Sequence, residues 1–173
     1  MTLLTGPAFD ALFDQYMHDA FRLEMRDSYL GVAYEPEPFR RFMAGEPDDG
    51  DWLRDWTYGV RRRVIEGKSM ARVRVVTVPL GDYARFSLEV CQRFNNPAGE
   101  DIRYLSRDQA ADLPAHDFWL FDSTSLYVLH YDDSDDLVGA ELVDDSTEVA
   151  RHVAWRETAW SRALKPAEFT ATL

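Results

Sequence analysis

Cysteine is nearly missing from this 173-residue chain, which carries only Cys91. A lone thiol cannot build a disulfide framework or a sulfur-based zinc site, so the composition suits a reducing cytoplasm. Long apolar runs are missing too. No stretch is long enough to cross a bilayer, and Met1-Thr2-Leu3-Leu4 has neither the basic start nor the hydrophobic stretch of a secretion signal. A membrane partner is not expected. Positive charge is scarce: 19 Lys and Arg stand against 31 Asp and Glu, giving a formal charge of -12. That average field repels nucleic-acid phosphates and anionic lipid, so direct nucleic-acid binding is not expected either. The histidines, His18, His116, His130 and His152, are scattered, and neither a metal nor a cofactor is expected.

What the chain does contain is apolar surface. At 46% apolar and 13% aromatic, it has enough for a substantial core in one domain spanning residues 1–173. No internal repeat and no convincing linker divides it. Pro7 and the stripe Phe9, Leu12, Phe13, Tyr16, Met17 and Ala20 predict an N-terminal helix over 7–20. An α/β core over 21–143 follows, and Asp145 with Glu148 opens a C-terminal helix over 145–164 that Pro166 is expected to end. Within the core, alternation at 21–25 and the β-branched run at 72–78 read as strands. So do 102–105, the uninterrupted apolar run between Asp117 and Asp122, and the two segments 126–131 and 137–143. Helices are expected from Asp51 to Gly67 and from Asp82 to Phe94, each aspartate serving as N-cap. The fold class is α/β or α+β: one mixed sheet flanked by helices, with 72–78 and 117–122 side by side near its centre.

Charge beside buried strands needs a partner. Arg22 and Glu24 share one strand face, and with Arg72 and Arg74 they form the preferred ligand-facing group; an ion-pair network between strands is the bland alternative. Asp117 and Asp122 flank a buried strand and would serve as an acid/base pair or bind a divalent ion, or else accept bonds from turn amides or pair with Arg72, Arg74 and Arg103. Tyr83, Trp119, Tyr127 and Tyr131 would stack on a planar ligand or fill the core. Arg61, Arg62 and Arg63 favour a helix C-terminus or make a binding patch. The acidic run 132–136 lacks the glycine and distant glutamate of an EF-hand and reads as a solvated turn. His130 has no nucleophile placed beside it, and Cys91 reads as a small buried hydrophobe.

Phe21-Arg22-Leu23-Glu24, the 72–79 segment, Asp82-Tyr83, Gly99-Glu100-Asp101-Ile102-Arg103 and the 117–122 segment together resemble an uncharacterised actinobacterial family, a domain of unknown function. Its members are often encoded beside helix-turn-helix regulators. The order of elements is also distantly similar to a phospholipase D-like half-module, whose motif is His-x-Lys-x-x-x-x-Asp. Here His116 fits the first position, but Phe118 replaces the lysine, Ser123 replaces the aspartate, and Asp122 comes one residue early. The resemblance therefore implies fold without activity. It implies a non-catalytic regulatory or interaction module in the cytoplasm, working with a helix-turn-helix regulator. The alternative is an enzyme or small-ligand receptor built on Arg22, Glu24, Arg72, Arg74, Asp117 and Asp122; an altered nuclease comes last. Exposed aromatics would point to a homodimer.

Overall fold

A computed structural model describes residues 2–31 and 35–173. In chain order the elements are β1 (Leu3–Leu4), α1 (Gly6–Asp10), α2 (Leu12–Gln15), β2 (Asp19–Glu24), α3 (Pro36–Met43), α4 (Arg54–Ile65) and β3 (Ser69–Val76). There follow α5 (Asp82–Val90), α6 (Asn96–Ala98), β4 (Asp101–Ser106), β5 (Phe118–Phe121), β6 (Ser125–Tyr131), β7 (Leu137–Val143), α7 (Ser146–Arg162) and α8 (Pro166–Thr170). The strands form one mixed sheet in the order β1-β7-β6-β5-β2-β3-β4. β2, β3 and β4 are parallel and joined by helical crossovers, as parallel strands require. β5 returns antiparallel to β2 and begins the meander β5-β6-β7.

Alternation gives the sheet two different faces. Arg22 stands opposite Arg72 and Glu24 opposite Arg74 on one of them. Phe21, Leu23, Val73 and Val75 point the other way, where α7 covers them with Val149, Val153, Ala159 and Trp160. Over the charged face, Leu12, Phe13 and Val60 close on Ala20, Met70, Trp119 and Phe121. Ala84 and Leu88 of α5 cover Val76, Ile102 and Tyr104 beside them. Each fully buried Leu or Phe is worth about 1.5–3 kcal/mol. These apolar layers therefore hold the sheet, and the ions between them must avoid a net cost.

Several elements depart from the sequence reading. The helix expected over 7–20 is two short helices, and the chain is extended from Tyr16. Asp122 causes this: its carboxylate accepts the amides of Met17 at 2.7 Å, His18 at 2.7 Å and Asp19 at 3.0 Å. A continuing helix would have spent those donors on its own carbonyls. Met17 is consequently exposed and Ala20 lies in β2. β3 ends at Val76 because the amide and hydroxyl of Thr77 bond Asp27, at 3.0 and 2.8 Å. Asp51 does not cap α4; it pairs with Arg54 across a short 3-10 turn. Asp82 does not cap α5 either, since Gly81 holds that position and Asp82 pairs with Arg85. Asp145 does cap α7, accepting the amides of Thr147 and Glu148 at 2.8 and 3.1 Å. Pro166 begins α8 instead of closing α7. Finally, β2 lies between β3 and β5, which are not neighbours.

Candidate functional site

Pairing Arg22 with Arg72 in register puts two cations side by side, an arrangement that is unfavourable unless an anion enters it. Glu24 is that anion. Its Oε1 accepts from Arg72 Nη1 at 2.8 Å and lies 3.2 Å from Arg22 Nη1, while Oε2 pairs with Arg74 Nε. Glu24 is 1% exposed. Burial alone would raise its pKa, but Arg74, Arg22 and Arg72 outweigh burial and hold it at about 2. Arg72 also reaches Glu100, donating from Nε to Oε1 at 3.0 Å. The second oxygen of Glu100 accepts Trp56 Nε1 at 2.8 Å and Asn95 Nδ2 at 2.9 Å. Trp119 forms the floor: the Arg22 and Arg72 guanidinium carbons lie 5.8 and 5.7 Å from its ring centroid.

Asp117 closes the other end of the network. Its Oδ1 accepts the Met25 amide at 2.7 Å. Its Oδ2 accepts Tyr29 Oη at 2.7 Å and Tyr131 Oη at 3.3 Å, and Arg22 Nη2 stands 3.4 Å away. Tyr83 lies beyond Arg74 and donates to Glu35 Oε2 at 2.6 Å. Burial raises the Glu35 pKa despite that bond. Arg22, Glu24, Arg72, Arg74, Asp117 and Trp119 therefore meet in one place, under α4 and α5, with Tyr83 at its margin.

Two of the expected site residues lie elsewhere. Arg103 is on the α7 face, over the Trp160 ring at 3.7 Å and beside Asp101. Odd and even positions of β4 face opposite sides, so it cannot join Arg72. Asp122 caps the chain before β2 and contacts neither Asp117 nor the arginines; burial opposes its ionisation, but the three amides it accepts hold its pKa down. Asp117 and Asp122 are thus not an acid/base pair. Arg62 and Arg63 fasten α4 to α2, with Arg63 Nε donating to the Phe13 carbonyl at 2.6 Å. Tyr127 packs in the core and Tyr131 serves the network. Cys91 is buried, which pushes its thiol up to about 12. In the 132–136 turn, Asp132 accepts the amides of Ser134 and Asp136 at 2.8 and 3.0 Å. His130 sits 2.8 Å from Glu141.

His116 faces His152 of α7, Nε2 to Nε2, at 3.0 Å. His152 Nδ1 lies 2.8 Å from the Glu148 carbonyl, so it carries the proton and its Nε2 accepts from His116. The ring centroids are 5.3 Å apart, nearly the longest separation that contact allows. The nitrogens point straight at each other and leave no space for an ion between them. Burial lowers both pKa values; at His116 the facing His152 and His130 add to this while Asp117 and Glu148 oppose it, and at His152 Glu148 opposes it while Arg151 adds to it. A depressed histidine favours the folded state above its unfolded value of 6.5, and that contribution is lost as pH falls. The melting temperature should therefore decline as pH is lowered below about 6.5, and His152→Gln should flatten the decline. A wild-type curve that is level across this window contradicts the assignment.

Sequence reasoning missed Glu100, Tyr29, Trp56 and Asn95 as members of the network. Nothing in local spacing points Trp56 at a carboxylate 44 positions away, and Glu100 precedes its strand, where periodicity carries no signal. Glu100 accepts two bonds at each of its oxygens, and Glu24 and Asp117 are held by arginine, amide and phenol partners. Among the described residues no three His, Cys, Asp or Glu side chains converge as a metal site, and no helix is long and apolar enough to cross a membrane. No curated protein matches the sequence. Residues 7–171 match the family described as a domain of unknown function (DUF6879), and the chain belongs to that family.

Proposed function

We propose that this protein is a non-catalytic regulatory or interaction module whose partner is a DNA-binding regulator of helix-turn-helix type, acting in the cytoplasm. The observation that supports it best is the mutual pairing of the buried charges on the sheet. Glu24, Glu100 and Asp117 are engaged by three arginines, an indole, an amide side chain, a backbone amide and two phenols. A ligand-binding or catalytic reading asks for an opening over these groups, yet the side chains of Arg22, Glu24, Arg72 and Arg74 are 16%, 1%, 8% and 13% exposed. A phospholipase D-like enzyme would need a cation at Phe118, which is fully buried beneath α7, and a free imidazole at His116, which faces His152. That likeness enters as scaffold only.

The chain as a whole carries a formal charge of -12. A DNA-binding protein is basic, and complementary fields speed its encounter with such a chain and disfavour wrong partners. The test is size-exclusion chromatography of the purified protein with the helix-turn-helix regulator it is proposed to serve. Co-elution that fades as salt rises is expected. An unshifted elution profile, or a complex indifferent to salt, overturns the reading.

A further inference from the structure

The two halves of α7 are fastened unequally. Beyond Trp155, Arg156 donates to Ser123 Oγ at 2.8 Å and pairs with Asp19 at 3.3 Å, and Arg162 donates to the Asp112 carboxylate and the Gln109 carbonyl at 2.6 and 2.9 Å. Ala159 is fully buried there, and Trp160 packs edge-on against Phe21. In the first half the polar contacts stay within the helix: Asp145 caps its first amides, and Glu148 pairs with Arg151 at 3.0 Å. Among the described residues, one hydrogen bond ties this half to the rest of the molecule, the contact between His116 and His152. His152 is also the one buried side chain of that half, at 3% exposure.

The contact tolerates one added proton but not two. In the neutral pair His116 Nε2 donates to His152 Nε2, because His152 Nδ1 already donates to the Glu148 carbonyl. A first proton fits on His116 Nδ1 and leaves the bond in place, now charge-assisted. A second can enter only at His152 Nε2. Two cations would then point N–H groups at each other across 3.0 Å. The charged groups facing the pair have other partners. On α7 Glu148 is paired with Arg151, and beside His116 Asp117 is held by the Met25 amide and Tyr29. From β6 comes His130, set against Glu141 of β7. The remaining walls are Phe118 and Trp155, each edge-to-face with His152 at a centroid distance of 4.8 Å.

We infer that this pair is a proton-operated latch: uptake of the second proton parts His116 from His152, and the first half of α7 lifts from the sheet while the second half stays anchored. What it uncovers is apolar. Phe118 and Leu126 are fully buried, and Val149 and Val153 pack in the same cluster. Acid thus bares a hydrophobic strip without unfolding the sheet. Burial favours the uncharged rings, so the latch is closed above about pH 6.5 and opens increasingly below it. Where the open form carries one proton more than the closed form, its population rises about tenfold per pH unit.

The test is amide hydrogen exchange by NMR on the full chain from about pH 7 to about pH 5, expressed as protection relative to the unstructured rate at each pH. Protection at Val153 should fall by up to about tenfold per pH unit. Urea below the unfolding range distinguishes a local opening from a global one, and should speed exchange at Val73 of β3 while leaving Val153 unchanged. His152→Gln, which keeps an acceptor but cannot charge, should hold Val153 protection level with pH; His116→Gln serves if that variant does not fold. Asp145→Asn, which keeps the cap without its charge, should retain the wild-type fall. Ring nitrogen shifts of the unsubstituted protein should show His116 charging first and His152 charging as Val153 loses protection. The inference is overturned by level protection in the wild type, by urea dependence at Val153 equal to that at Val73, or by a fall that survives loss of either histidine. It is equally overturned by a fall that Asp145→Asn abolishes, or by a charged His152 beneath a still-protected Val153.

Discussion

Replacing Glu24 with glutamine is expected to cost about 3–5 kcal/mol of folding stability, the usual result of removing one partner from a buried ion pair. The substitution keeps the shape of the side chain and deletes the one charge that sits among Arg22, Arg72 and Arg74. None of those arginines can shed its proton, so each would remain charged under α4 and α5 with too little negative charge beside it. Against a typical total of about 5–15 kcal/mol, the loss is a large share. Urea unfolding measures it as a fall in midpoint with an unchanged slope. Asp82→Ala is the matching control, since its pair with Arg85 is exposed and should cost less than about 1 kcal/mol. Equal midpoints for the two variants would mean that the network carries no special weight. The pH dependence has the same sign. Glu24 is held at about 2 when folded against 4.5 otherwise, so its contribution is complete above 4.5 and is lost as pH falls toward about 2.

Asp117→Ala should be nearly as damaging, on the order of 3 kcal/mol, because several buried donors lose their acceptor at once. The Met25 amide and the phenols of Tyr29 and Tyr131 would have nowhere else to turn, and Arg22 would lose a counter-charge. Asp117→Asn should be milder, since an amide oxygen can still accept from Met25 and its nitrogen can donate to a phenol oxygen. Hydrogen exchange gives the local readout: the Met25 amide should lose protection in Asp117→Ala before the strands around it do. If Asp117→Ala melts with the wild type, or Asn is worse than Ala, the role given to this carboxylate is wrong.

Both predictions concern a cluster that the sequence half disclosed. Alternation at 21–25 was enough to put Arg22 and Glu24 on one face, and the repeat at 72–76 did the same for Arg72 and Arg74. It was not enough to keep Arg103 and Asp122 out. Arg103 follows the same charged-apolar alternation, yet its register opposite Val73 sends it to Trp160. Asp122 looked like the mate of Asp117 because both bound one strand. Its partners are instead three amides more than a hundred positions earlier in the chain.

By itself the sequence determined which segments are extended or helical through most of the chain, which side chains of each strand share a face, and that Asp145 begins a helix. These are properties of a few consecutive residues, set by backbone periodicity and by side chains bonding nearby amides. Only the tertiary structure decided that β2 runs between β3 and β5, and hence that Glu24 reaches Arg72 across 48 positions and Arg22 reaches Asp117 across 95. Strand order is chosen by how whole layers pack, and no local pattern records it. A buried charge finds its counter-charge only after that choice has been made.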